Sequence, residues 1–79
     1  MDEQYKTPNL GLAAAIISLD NNLLDYERVD GKVYFIFENS DRCSRIEKDL
    51  LTNKLQVPAQ DYLLALKTLK TIIHGRFYG

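Results

Sequence analysis

Residues 23–37 read LLDYERVDGKVYFIF, two apolar-rich runs joined by Asp30-Gly31. Asp-Gly supplies the two positive-φ residues of a type I′ turn, whose twist matches the twist of the flanking strands. The sequence therefore predicts an antiparallel β-hairpin with a fixed register. Counting outward from the turn, each residue before it opposes one after it, and the last predicted pair is Leu24 with Phe37.

Side chains alternate along a strand, so this register divides the hairpin into two faces. The apolar face is predicted to lie beneath helices, and its residues are Leu24, Tyr26, Val33, Phe35 and Phe37. The opposite face mixes apolar and charged residues, which are Leu23, Asp25, Glu27, Lys32, Tyr34, Ile36 and Glu38. Because a two-stranded hairpin is marginal in water, we expect the first and third predicted helices to cover the apolar face.

Three helices are predicted around the hairpin. The first begins with Thr7 as N-cap and Pro8 as first helical residue, and the polar residues 20–22 end it. Its apolar residues lie on nearly every side, which predicts burial on more than one face. Gly11 within it indicates a close approach by another backbone.

The second and third helices follow the hairpin. Ser40 is the predicted cap of the second helix, and its inward stripe is Cys43, Ile46 and Leu50. Pro58 opens the third helix and Gly75 ends it. The inward stripe of the third helix is Tyr62, Leu63, Leu66, Leu69 and Ile73, with Leu64, Ala65 and Ile72 widening it.

The predicted fold is thus a single small α+β domain of order α-β-β-α-α, with an antiparallel β-hairpin packed against helices. We place the domain at residues 5–75, with loose termini at 1–4 and 76–79. Of the 79 residues, 46% are hydrophobic and 27% charged, a composition typical of folded proteins. The single Cys43 excludes an internal disulfide. Without a signal-like N-terminus or a membrane-length apolar run, a cytoplasmic location is the expectation.

The chain is similar to a family of short prokaryotic and viral proteins catalogued only as a domain of unknown function. The similarity rests on the opening Tyr5-Lys6-Thr7, on the segment 27–33 and on the later Val57-Pro58, and it covers nearly the whole chain. The resemblance implies a compact stand-alone domain. It implies no activity, cofactor or catalytic residue.

The sequence contains few candidate residues for catalysis or metal binding. Cys43, in the first turn of the second helix beside Arg42 and Arg45, is placed for a lowered thiol pKa, but it also begins the inward stripe, which favours a buried structural thiol. One Cys with one His does not supply a zinc site, and no glycine-rich phosphate loop is present. We therefore expect no enzyme, no metal site and no cofactor.

Charge is unevenly distributed along the chain. Residues 1–41 hold eight acidic and three basic residues, whereas residues 42–79 hold three acidic and seven basic residues. Basic faces of the second and third helices could follow a phosphate backbone, and the candidate contacts are Arg42, Arg45, Lys67, Lys70 and His74. The sequence pI of about 5.7 favours ordinary solvated helix faces instead.

Protein–protein interaction is the remaining candidate function. On the mixed hairpin face and at its end, Leu23, Val29, Tyr34 and Ile36 are more apolar than a solvent surface requires, and we call these four residues the predicted partner face. The alternative is that the second helix, or Phe77 and Tyr78, covers this face. The sequence thus favours a non-catalytic interaction module that forms a homo-oligomer or binds another protein, with a nucleic-acid-associated protein as the alternative.

Overall fold

A computed structural model describes residues 3–19 and 22–75. In chain order the elements are β1 (Tyr5–Thr7), α1 (Leu10–Ser18), β2 (Leu23–Val29), β3 (Lys32–Phe37), α2 (Ser40–Leu51) and α3 (Ala59–His74). The strands form one antiparallel sheet in the order β1-β3-β2. The α+β class is confirmed, and the five predicted elements occur in the predicted order, but the structure adds the strand β1 before them.

The segment before α1 differs from the prediction. Thr7 is the last residue of β1, and its Oγ1 accepts a hydrogen bond from the backbone N of Asn9 at 3.1 Å. The N-cap of α1 is Asn9, whose Oδ1 accepts from the N of Leu12 at 3.0 Å. Pro8 therefore precedes the cap instead of opening the helix. An asparagine caps at least as well as a threonine, which leaves Thr7 to pair with Phe35 in the sheet.

The hairpin turn is as predicted. Asp30 and Gly31 have φ angles of 51° and 80°, both positive as a type I′ turn requires. The predicted register is confirmed from Val29 opposite Lys32 as far as Asp25 opposite Ile36.

A β-bulge at Leu24 breaks the register beyond that point. Leu23, and not Leu24, opposes Phe37, so the pairing predicted for Leu24 was wrong. The extra residue moves Leu23 to the side of the sheet that carries Phe37, where it packs against the core. Leu24 has no partner in β3 and is partly exposed. The face predicted for Leu23 was therefore wrong as well.

One hydrophobic core lies between the sheet and the helices. β3 contributes Val33, Phe35 and Phe37 from one face. The helix α1 runs through the middle and packs against both α2 and α3. Its residues 12–16 are all buried, which confirms the prediction of burial on several faces. A Cβ at Gly11 would lie 3.4 Å from the Tyr62 hydroxyl, so the close neighbour is a side chain and not the predicted backbone.

The outer helices bury narrower stripes than predicted. In α2, Cys43 and Ile46 are buried but Leu50 is exposed. Asn39, with φ of 62°, caps this helix by accepting from the N of Arg42, so Ser40 is not the cap. Tyr26 is also exposed, contrary to its predicted place beneath the helices.

In α3 the buried residues are Ala65, Leu69 and Ile72. Leu63 and Leu64 are exposed, so their predicted places in the inward stripe were wrong. Pro58 is the N-cap and not the first helical residue, and Gly75, with φ of 65°, is the predicted end.

Part of the predicted detail falls outside the described residues: the end of α1 at Asp20 and Asn21, most of the loose termini, and Phe77 with Tyr78. Glu3, which the prediction placed in the loose N-terminus, has its carbonyl bonded by the N of Ser40 at 3.1 Å. Within the described residues, no helix combines the length and the apolar character needed to cross a bilayer.

Candidate functional site

The face of the sheet opposite the core carries an ion pair. Lys6 Nζ lies 2.7 Å from Glu27 Oε1, and the pair reaches across the central strand from β1 to β2. Ile36, which opposes Lys6 in the register, is only 7% exposed and does not belong to the main core. This face is therefore charged at its surface, and its largest aliphatic side chain is already covered.

The predicted partner face is not one continuous surface. Leu23 packs against the core and Ile36 is buried. Val29, at 48% exposure, and the half-buried Tyr34 are the two members that remain accessible. The β-bulge is the reason that Leu23 was misplaced, since the sequence offered no signal for the extra residue.

The candidate phosphate contacts lie on two separated helices. Arg42 and Arg45 are exposed on α2, whereas Lys67, Lys70 and His74 are exposed on α3. α1 packs against both helices, whereas α2 and α3 share little or no contact with each other, so the structure does not bring the two basic groups together. The guanidinium of Arg42 also donates to the carbonyl of Leu19, which ties it to the end of α1.

Cys43 lies in the core. Its side chain has no exposed surface, and its Sγ lies 3.5 Å from the carbonyl oxygen of Glu38. A nucleophile must be reachable by its substrate, so this position fits the structural thiol that the sequence favoured.

Tyr5 tethers β1 to α2. Its hydroxyl donates to Glu47 Oε1 at 2.8 Å. Burial, together with this carboxylate, raises the pKa of Tyr5 far above its ordinary value, because the phenolate would be poorly solvated and would lie beside a negative charge. This hydrogen bond fixes the short edge strand β1 to α2.

The most exposed apolar side chains of α3 are Leu63 and Leu64, each 63% accessible. Leu63 lies on the side of α3 opposite its buried residues, whereas Leu64 lies to one side and borders a hollow beside Ala65. Lys67 follows one turn later, and it forms no salt bridge with any residue in the described ranges. The sequence did not reveal this patch, because leucines at helical spacing normally indicate burial.

A groove runs between the edge strand β2 and α3. It encloses about 540 Å³, and its lining residues are Leu23, Leu24, Asp25, Tyr26, Thr68, Thr71 and Ile72. The two threonine hydroxyls donate to carbonyls of their own helix at 3.1 Å, those of Leu64 and Lys67. The wall is therefore mainly apolar. The bulge at Leu24 was the part of this groove that the sequence could not indicate.

A second hollow, of about 370 Å³, lies between the end of α1 and α3. Its lining residues are Ile17, Ser18, Asp61, Leu64, Ala65 and Thr68. Thr68 borders both hollows, so they adjoin along one side of α3. Within residues 3–19 and 22–75, no three His, Cys, Asp or Glu side chains are grouped as a metal site would require.

The fold defines a small α+β domain with helices against a three-stranded antiparallel sheet. No protein-family model, curated protein or solved structure matches the chain. The resemblance to the domain of unknown function therefore stays a prediction.

Proposed function

We propose that this chain is a non-catalytic, cytoplasmic protein-interaction domain that associates with a second copy of itself through the solvent side of α3. The observation that carries the proposal is the pair of adjacent leucines, Leu63 and Leu64, each 63% exposed. Isolated exposed leucines are common, but these two are consecutive, and their side chains leave α3 about 100° apart, so they expose apolar surface on the same helical turn.

Burial of this patch would be favourable for so small a chain. Fully burying one leucine side chain contributes about 1.5–3 kcal/mol, and a chain of this size covers a modest share of its own apolar surface. A two-fold contact would place the same surface of each copy against the other, so Leu63 and Leu64 of both copies would be buried. The patch is thus a reasonable centre for a dimer.

The open face of the sheet is a weaker centre for self-association. Val29 and Tyr34 support it, but the ion pair between Lys6 and Glu27 would have to be desolvated. Its aliphatic residue, Ile36, already has little surface left to bury. The solvent side of α3 is therefore the better-supported contact.

Sedimentation velocity from micromolar to millimolar concentration tests the proposal. The wild type should show a mass that rises toward a dimer, and the variant L63E/L64E should stay monomeric. The control L51E replaces a leucine on α2 that is 77% exposed, and it should behave as the wild type does. A wild-type protein that stays monomeric throughout, or a double variant that still dimerises, would overturn the proposal.

Nucleic-acid association is the second candidate, because Lys67, Lys70 and His74 are all exposed on one side of α3. Three contacts to phosphate predict weak, strongly salt-dependent binding. A mobility-shift assay at low salt should then show binding that K67E/K70E abolishes. The variant K32E/K54E has the same change in charge and should retain binding. Absence of any shift with duplex or single-stranded DNA and RNA would exclude this function.

A further inference from the structure

The edge strand β2 has backbone groups that face away from the sheet. Val29 and Lys32 flank a two-residue turn and form a hydrogen-bonded pair, and such pairs alternate along an antiparallel ladder. Tyr26 and Arg28 therefore direct their N–H and C=O groups outward. In agreement, the N of Tyr26 donates to the side chain of Asp25 at 2.7 Å and not to β3.

An extended segment beside β2 would also lie along the groove. Leu24, Tyr26 and Ile72 form its apolar lining, and α3 forms the far wall. Peptides that add a strand to a sheet edge gain affinity from main-chain hydrogen bonds and specificity from pockets for alternate side chains. Both elements are present here, side by side.

The charges on β2 indicate which kind of segment could bind along this groove. Glu27 is paired with Lys6, whereas Asp25 forms no salt bridge with any described residue. A lysine or arginine of an incoming strand would attract the Asp25 carboxylate. The N–H of Tyr26 would then be released to bond a carbonyl of that strand.

A second copy of β2 fits poorly. In an antiparallel pairing of two β2 strands, side chains on the same face oppose one another. The central registers bring Asp25 or Glu27 of one copy opposite Asp25 or Glu27 of the other. Like charges directly opposite destabilise a strand pair.

We propose that the edge of β2 and the groove beside α3 bind an extended, apolar and basic segment of a partner protein by strand addition. The site does not include Leu63 and does not depend on self-association. Leu63→Gln, a neutral change on the side of α3 away from the groove, should therefore bind such a segment as the wild type does, so a failure here is distinguishable from a failure of the proposed dimer.

The test uses fluorescence anisotropy with two labelled peptides, KVKVKVKV and EVEVEVEV. Wild type should bind the basic peptide at least tenfold more tightly than the acidic one. Asp25→Lys should remove or reverse that preference, because it reverses the charge beside the groove. Asp41→Lys, the same change on the exposed surface of α2, should leave the preference unaltered.

Amide NMR on the wild-type protein provides a second measurement that needs no variant. Addition of the basic peptide should shift the amide signals of Tyr26 and Arg28 most strongly. No binding of the basic peptide at millimolar concentration would overturn the proposal. So would equal loss of the preference in Asp41→Lys, or shifts that map to another surface.

Discussion

The guanidinium of Arg28 donates to the carbonyl of Ile72, and equally to that of Ile73, with both distances at 3.2 Å. The last carbonyls of a helix have no partner within it, and a cation at that end also complements the helix dipole. Arg28 thus joins the edge strand β2 to the end of α3.

Replacing Arg28 should destabilise the protein. Arg28→Ala removes the hydrogen bonds to the end of α3, and we expect the free energy of unfolding to fall by about 1–2 kcal/mol, since the contact is partly solvated. Urea denaturation measures the change. Lys32→Ala, in the same hairpin, is the control, and an equal loss in both variants would contradict the capping role.

The hairpin turn should depend on Gly31. Its φ of 80° is unfavourable for any residue with a Cβ, although no atom lies within 4 Å of the place that a Cβ would occupy. Gly31→Ala should therefore cost about 1–2 kcal/mol through the backbone alone. Asp30→Gly keeps a residue that tolerates positive φ, and its unfolding midpoint should stay close to that of the wild type. A Gly31→Ala protein as stable as the wild type would argue against the type I′ turn.

Tyr5 should make stability fall in strongly alkaline solution. Its folded pKa is raised, so the folded state holds the phenolic proton more tightly than the unfolded state. The stabilisation that comes from this difference in pKa is complete below the unfolded pKa of about 10. It is lost as the pH rises from there toward the folded pKa. Tyr5→Phe should lower stability at neutral pH and weaken the decline above pH about 10. Urea denaturation across that pH range measures the change, and Tyr34→Phe is the control. If the free energy of unfolding of Tyr5→Phe fell with pH as steeply as that of the wild type, the role of Tyr5 would be contradicted.

The sequence predicted what strong local signals determine. Asp30-Gly31 specified the turn and most of the register, and the alternation after it placed Phe35 and Phe37 in the core. The missed strand β1 has three residues, too few for a period of two to stand out, and it gains its partners only when β3 is beside it.

The candidate surfaces were harder to predict than the fold. The bulge at Leu24 depends on how β2 meets β3, and no residue type marks it in advance. Leu63 matched the helical spacing of its buried neighbours, but no other element covers that side of α3 in the described residues. Both surfaces that we propose therefore involve residues at which the local pattern and the tertiary structure disagree.

Concentration-dependent amide NMR of the wild-type chain tests the central claim, association through α3, most directly. On raising the concentration, the signals that shift or broaden should belong to the outer side of α3 around Leu63 and Leu64, while those of Val29 and Tyr34 stay fixed. Spectra that do not change with concentration, or changes confined to the open face of the sheet, would contradict the account.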